Sequence, residues 1–348
     1  MTHRNKTKPV YVGKIKIGGG SVSVQSMCNT KTDDIEKTVE QINALKNAGC
    51  DIVRLAVPDT VAARAFCEIR KKTDIPLVAD IHFDYKLALI CADGGADKIR
   101  INPGNIGGKD RVRAVARACE IRKIPIRIGV NMGSIDKETE EKYGKTARAM
   151  VESAFFHINL LNEFGFDDIV ISLKASDVAK TVEAYRLMSK RADYPLHIGV
   201  TEAGTAYSGL VKSSVGIGAL LLDGIGDTIR VSLTADPVEE VRAGRAILKA
   251  AGLMKEGIEF ISCPSCGRCR IDQVKIAGEV EKALIGVDKP IKVAVMGCAV
   301  NGPGEARDAD IGIAGGDGCA LLFKHGIVVK KMDESEIIST LLREIGEM

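Results

Sequence analysis

The chain has no tryptophan, and phenylalanine and tyrosine together supply only 4% of its 348 residues. A platform that stacks single-stranded bases needs aromatic faces, so that function is excluded. An excess of either charge is also missing. Forty-nine Lys and Arg stand against 46 Asp and Glu, a formal net charge of +3. That balance excludes a general binder of nucleic acid or membrane surfaces. No run of about 18 apolar residues occurs, so no segment reads as membrane-spanning. Met1 to Pro9 is polar and basic with no apolar stretch behind it, unlike a secretory signal.

What is present is a core-forming composition. The chain is 45% hydrophobic and 27% charged, which rules out disordered and fibrous classes. At roughly 150 residues per domain the length suggests two domains, although a barrel of about 250 can stand as one. The ten cysteines are unevenly placed. Cys28, Cys50, Cys67, Cys91 and Cys119 are scattered, whereas Cys263, Cys266, Cys269, Cys298 and Cys319 crowd the final hundred residues. Without an export signal, a cytoplasmic setting is expected. There, clustered thiols bind metal or do redox chemistry more often than they form disulfides.

Short β-branched runs alternate with segments of helical period. The runs are 24–28, 51–57, 76–81, 98–102, 125–131, 168–174, 195–201 and 228–234. Between the first two, Ile35, Val39, Ile42 and Leu45 recur at helical spacing over 33–48, with Asp33 or Thr32 to cap the start and Gly49 the end. Residues 147–164, 176–191 and 237–250 read the same way. Alternation of this kind implies a parallel sheet. Eight units in about 250 residues predict an α/β protein built on a (β/α)8 TIM barrel, with an open doubly wound sheet as the competing form. After Gly252 the pattern changes to a smaller α+β unit. Strands are expected at 258–262, 291–296, 310–314 and 327–330, with helices at 272–284 and 334–347. The predicted domains are therefore 1–254 and 255–348.

In such barrels the C-terminal strand ends carry function, and here they are charged. They supply Arg54; Asp80 and His82; Arg100 and Asn102; Arg127 and Asn131; Ser172 and Lys174; His197, Thr201 and Glu202; and Arg230, Ser232 and Thr234. Four Arg and one Lys converging on one mouth call for an anion, and the guanidinium fork suits phosphate oxygens. A phosphorylated or diphosphorylated small molecule is the expected ligand. Internal salt bridges to Asp51, Asp80 and Glu202 are the competing reading. His157, on a helical pattern, and His325, before Gly326 in a turn, read as structural.

The sharpest signal lies near the C-terminus. Cys263, Cys266 and Cys269 form a C-x2-C-x2-C array, and Cys298 follows within Met-Gly-Cys-Ala-Val-Asn-Gly-Pro-Gly-Glu. Cysteines three apart can grip one metal centre from a tight turn, which Pro and Gly permit. On spacing alone a zinc ribbon and an iron–sulfur cluster are equally compatible.

Several of these segments resemble the bacterial 4-hydroxy-3-methylbut-2-enyl diphosphate synthase family. They include Val-Arg-Leu-Ala-Val at 53–57, Ala-Asp-Ile-His-Phe-Asp at 79–84 and Arg-Ile-Asn-Pro-Gly-Asn-Ile-Gly at 100–107. Ile-Gly-Val-Asn-Met-Gly-Ser at 128–134, His-Ile-Gly-Val-Thr-Glu-Ala-Gly at 197–204, Ile-Ser-Cys-Pro-Ser-Cys-Gly-Arg at 261–268 and Gly-Cys-Ala-Val-Asn-Gly-Pro-Gly-Glu-Ala at 297–306 continue the likeness. The resemblance implies a TIM barrel followed by an α+β iron–sulfur domain similar to a sulfite or nitrite reductase half. It implies reductive ring opening of 2-C-methyl-D-erythritol 2,4-cyclodiphosphate in isoprenoid precursor biosynthesis (the methylerythritol phosphate pathway). The implied cofactor is a 4Fe-4S cluster held by Cys263, Cys266, Cys298 and Glu305. Cys269 is left outside that set. A carboxylate ligand is exchangeable, which suits a cluster that meets substrate better than a fully thiolate-held carrier does.

The implied substrate-binding residues are Arg54, His82, Arg100, Arg127, Asn131, Lys174, Arg230 and Ser232. Asp80 and Glu202 are candidates for proton transfer. The implied partners are a ferredoxin or flavodoxin electron donor and a second copy of the chain, whose cluster domain caps the barrel. Two other classes compete: a zinc-stabilised phosphate-binding barrel without redox chemistry, and a pterin-dependent methyl-transfer barrel.

Overall fold

Period-two runs of aliphatic residues that carry charges at alternate positions build a sheet with two unlike faces. The computed structural model describes residues 6–299 and 306–348, in two units, Met1–Leu253 and Met254–Met348. The first unit opens with a hairpin of β1 (Val10–Val12) and β2 (Ile15–Ile17). Next come β3 (Ser23–Met27), α1 (Ile35–Asn47), β4 (Ile52–Ala56), α2 (Thr60–Lys71), β5 (Leu77–Asp80) and α3 (Tyr85–Asp93). The chain continues through β6 (Lys98–Ile101), α4 (Pro103–Ile106), α5 (Lys109–Arg122), β7 (Ile126–Asn131), α6 (Lys137–Tyr143) and α7 (Ala147–Glu163). It ends with β8 (Ile169–Lys174), α8 (Val178–Ser189), β9 (His197–Ile198), α9 (Ala206–Leu222), β10 (Thr228–Ile229) and α10 (Pro237–Ala250).

Strands β3 to β10 form one parallel sheet in the order β8-β7-β6-β5-β4-β3-β10-β9. A parallel bridge between Ile171 and Leu196 joins its two ends, so the expected eight-stranded barrel is present. Tyr185 of α8 clasps this seam: its hydroxyl donates to the His197 carbonyl at 2.6 Å and accepts from the Leu173 amide at 3.0 Å. Ile99, Ile101, Ile126, Ile128, Ile169 and Ile171 are wholly buried. They alternate with the polar positions and form the face that the helices cover. Val12 and Ile17 of the hairpin pack on Ile52 and Val78, near the starts of β4 and β5, giving that part of the barrel an apolar floor.

Some local expectations change. The cap of α1 is Asp34, not Asp33 or Thr32: its carboxylate accepts from the Lys37 amide at 3.2 Å. Thr32 instead donates to the Ala56 carbonyl at 2.6 Å, tying the helix entry to β4. The seventh and eighth runs pair over only two residues each, because the chain leaves the ladder where Gly199 and Arg230 meet. A Cβ at Gly199 would lie 2.4 Å from the Arg230 carbonyl oxygen. The β1–β2 hairpin was not expected, since three-residue strands are too short to show a period.

The second unit has β11 (Glu259–Ser262), α11 (Gln273–Ala283), β12 (Lys292–Met296), β13 (Ile311–Gly316), β14 (Cys319–Lys324), β15 (Ile327–Met332) and α12 (Ile337–Glu347). Its five-stranded sheet runs β11-β12-β13-β14-β15, parallel at first and antiparallel from β13 onward. Strand β14 was not expected, although Asp317-Gly318 before it and His325-Gly326 after it are two-residue turn signals. His325 (φ 48°) and Gly326 (φ 77°) are both left-handed, as the tightest hairpin turns require. His325 is thus structural, as its sequence context implied. Ile276, Val280, Val293, Ile311, Ile337 and Leu341 join sheet and helices in one core. No helix among the described residues is long and apolar enough to cross a membrane.

Candidate functional site

The inward face of the barrel is built by period two. Arg54, Asp80, Arg100 and Arg127 stand on four consecutive strands whose registers pair Ala56 with Asp80, Asp80 with Arg100 and Arg100 with Arg127. Asp80 is 3% exposed. Its carboxylate accepts from Arg100 Nη1 at 3.0 Å, lies 3.6 Å from Arg54 Nε and is 3.5 Å from His82 Nε2. Burial by itself raises the pKa of this carboxyl. Arg54, the His82 hydrogen bond, Arg100 and Arg127 outweigh that and hold it well below the usual carboxylate range. Asp80 is therefore a fixed anion that orients two guanidinium groups.

The bases outnumber their partners. Arg127 is 1% exposed, and its Nε and Nη1 have no hydrogen-bond partner. Burial, then Arg54 and Arg100, push its pKa down, against the pull of Asp80. Burial likewise lowers Arg54 to about 10, with Asp80 opposing. Lys174 lies well below its ordinary range, first through burial and then through Arg127, Arg230, Arg54 and Arg100. Arg230 reaches Glu240 of α10 at 3.5 Å, and that carboxylate also accepts from the Leu233 amide and the Ser26 hydroxyl. A buried polar group without a partner costs about 1–3 kcal/mol. Several of them approach the whole stability of a domain, so this face is suited to ligand oxygens.

Of the other predicted site residues, Asn131 and Ser232 are partly buried, and His82 is exposed at the end of β5. Asn131 caps the turn at Met132–Ser134. Asn102 caps α4 by accepting from the Gly104 amide at 3.1 Å. Glu202 follows β9 with an exposed side chain and φ 51°, a left-handed conformation that costs a non-glycine residue about 1–2 kcal/mol.

Sequence reasoning missed Lys98, Glu240 and Gly129 as parts of this face. Lys98 was within reach, because it stands two residues before Arg100 on one strand. Glu240 lies on a helix and gave no signal. Gly129 matters for what it lacks: a Cβ there would lie 2.7 Å from Arg100 Nε. Gly129→Ala is expected to displace Arg100, destabilise the fold by about 1–3 kcal/mol and raise KM more than it lowers kcat. Thermal melts and steady-state kinetics check this.

In the second unit, Cys263, Cys266, Cys269 and Cys298 line one pocket of about 300 Å³ with Pro264, Arg268 and Gly297. Cys263 follows β11 and Cys298 follows β12, two paired parallel strands, so the fold brings together residues far apart in sequence. The Gly297 amide donates to Cys263 Sγ at 3.2 Å. The pKa of Cys266 is lowered first by a hydrogen bond from the Arg268 backbone. The lowered pKa of Cys266 favours its thiolate, the form that binds iron. Cys269 is already engaged, its thiol donating to the Ile271 carbonyl at 3.3 Å. Among the described residues no three such donors converge on a single point as one ion requires. A multi-iron cluster instead presents several iron atoms to its ligands. The pocket, its amide donors and its soft sulfur set fit such a group. Glu305 lies outside the described residues.

Comparison with known proteins agrees with both units. A model of the GcpE TIM-barrel domain matches residues 7–245, and one of the GcpE protein C-terminal domain matches residues 259–347. A 4-hydroxy-3-methylbut-2-en-1-yl diphosphate synthase (flavodoxin) of Ruminiclostridium cellulolyticum is 58% identical over 347 residues, 99% of this chain and 98% of its own. A Geobacter sulfurreducens protein of the same name is 58% identical over 345 residues, with 99% and 98% covered. Among solved structures, a Yersinia pestis dihydropteroate synthase aligns with TM-score 0.50 and 13% identity over 70% of this chain and 98% of its own. A type I 3-dehydroquinate dehydratase of Clostridium difficile aligns with TM-score 0.52 and 16% identity over 71% and 99%. At such identities these two share the barrel fold and nothing about chemistry.

Proposed function

The chain belongs to the GcpE family, and from that membership we propose that it reduces 2-C-methyl-D-erythritol 2,4-cyclodiphosphate to 4-hydroxy-3-methylbut-2-enyl diphosphate for isoprenoid precursors. The observation that carries this reading is the barrel interior, where Arg54, Arg100, Arg127, Lys174 and Arg230 outnumber the carboxylates Asp80 and Glu240. That is an electrostatic mould for a compact polyanion, and the diphosphate supplies the acceptor oxygens that the guanidinium groups lack.

The reaction takes up two electrons and one proton. The cyclic dianion opens to a trianion, and the displaced hydroxyl leaves as water. Arg100 and Arg54, held by Asp80, bind and orient the phosphate oxygens, with Arg127, Lys174, Arg230 and Ser232 completing the clamp. His82 and Asn131 stand at its rim. Glu202 is the proton carrier we assign, delivering its carboxyl proton to the departing oxygen. Asp80 is too firmly ionised for that part and keeps the role of counter-ion. Cys263, Cys266 and Cys298, with Glu305, would hold a 4Fe-4S cluster. That cluster, when bound, supplies electrons and Lewis acidity to the substrate.

The relatives' names give flavodoxin as the donor, and we propose a flavodoxin-type protein here, with ferredoxin as the alternative. A homodimer in which one copy's cluster domain covers the other's barrel would exclude water during the reaction. The exposed apolar side chains of Tyr207, Leu210, Val211, Val215 and Leu222 along α9 support self-association. Light scattering should give twice the chain mass, and a fully active monomer would sink this arrangement.

The test of function is anaerobic iron and sulfide analysis together with turnover of the cyclic diphosphate using a chemical reductant. Iron, sulfide and product are expected. Zinc without iron, and no product, would leave a phosphate-binding barrel without redox chemistry.

A further inference from the structure

Positive charge continues below the mouth. Lys98 opens β6 two residues before Arg100, so both side chains enter the barrel. Lys98 is wholly buried, and its Nζ has no hydrogen-bond partner. His197 opens β9, is equally buried, and has neither ring nitrogen partnered. In register with His197 is Thr228, also buried with an unpartnered hydroxyl. Beside Lys98, in register with it, Val78 belongs to the apolar cluster of Val12, Ile17 and Ile52. This tier is therefore a second, wholly buried polar layer.

What faces it is positive. The charged groups acting on Lys98 are Arg127 of β7 and Arg54 of β4. Those acting on His197 are Lys174 of β8, Arg127, Lys98 and Arg54. The buried acids of the barrel are engaged elsewhere: Asp80 with Arg54 and Arg100, Glu240 with Arg230, and Asp227, beside Thr228, with the Leu196 amide and the Thr7 hydroxyl. Burial first, and then these like charges, hold both bases well below their ordinary ranges, which favours their neutral forms in the free protein.

We infer that Lys98 and His197 form a proton-accepting tier of the diphosphate site, so that the chain takes up protons as the anion enters. An anion among Arg100, Arg127, Lys174 and Arg230 reverses the field that keeps the tier neutral. The bound-state pKa values then exceed the free ones. Binding is accordingly stronger at lower pH and weakens as pH rises between the two values. The identity of the anion rests on the function proposed above. The cyclic diphosphate is a clean probe, because each phosphorus carries only one strongly acidic oxygen. It stays a dianion near neutral pH, and the protons counted are the protein's.

The experiment is calorimetric titration of the full chain with the cyclic diphosphate, anaerobically and without reductant, at pH 8 in HEPES and in Tris. Uptake of about one proton per ligand is expected, seen as a less exothermic heat in Tris. Lys98→Met should lower the uptake and, lacking a buried amine, melt at higher temperature without ligand. His197→Asn should remove a further share. Saturable binding with equal heats in both buffers overturns the inference and leaves the proposed function standing. Full uptake in both variants also overturns it, since the protons then go elsewhere. If neither variant folds, the unmodified chain decides: affinity should fall by up to about tenfold per pH unit for each proton, and a flat profile overturns the tier. Absence of both binding and turnover removes the diphosphate reading and this inference together.

Discussion

Cys298→Ser is expected to strip the chain of iron and to lower turnover of the cyclic diphosphate by more than about 100-fold. Losing an outer-shell partner of a metal site lowers affinity or activity by about 10–100-fold, and a direct ligand matters more. Cys298 is 7% exposed and follows Gly297, whose amide donates to Cys263 Sγ. A serine there keeps the backbone but offers a hard, protonated oxygen where a soft thiolate is needed. The second unit should stay folded, because its core of Val280, Val293, Ile311 and Leu341 does not depend on the pocket. Circular dichroism checks the fold, and iron analysis checks the site. Cys269→Ser is the internal control and is expected to retain iron, since that thiol is bonded to the Ile271 carbonyl. Iron lost from Cys269→Ser but kept in Glu305→Gln would make Cys269 the fourth ligand and overturn the carboxylate assignment.

Glu202→Gln should lower kcat by about 10²- to 10⁴-fold, the usual contribution of general acid–base catalysis. KM should change little, because the diphosphate contacts lie on other strands. The amide keeps the shape and the backbone preference of the carboxylate but cannot deliver its proton. Glu202→Gly makes the complementary point. It relieves a left-handed residue at φ 51° and is expected to stabilise the fold by up to about 1 kcal/mol, while activity is lost equally. A kcat within threefold of the parent in Glu202→Gln would remove this residue from the chemistry.

The barrel was legible because most of its eight strands announce themselves locally: aliphatic residues at alternate positions, charges between them in several, and an Asp at several of the following helix starts. Asp59, Asp84, Asp177 and Asp236 each accept from an amide of the first helical turn. The short hairpin and β14 escaped notice because three to six residues beside turns give too little period to read. The cysteine pocket was half legible. C-x2-C spacing reveals that a turn can grip a metal, but only the parallel pairing of β11 with β12 brings Cys298 to it.

The sequence by itself determined the strand period, the cysteine array and the polyanionic class of the ligand, all of which depend on neighbours a few residues apart. Tertiary structure decided how the charges are shared. Asp80 became the counter-ion of two arginines, Glu240 reached in from a helix to hold Arg230, and Gly129 left the room that Arg100 fills. Lys98, unremarkable as a letter, and His197, expected at a strand end but found at the start of β9, became buried bases surrounded by positive charge. The reason is physical. Protonation and pairing depend on burial and on distance through space, and the closing of the sheet sets both.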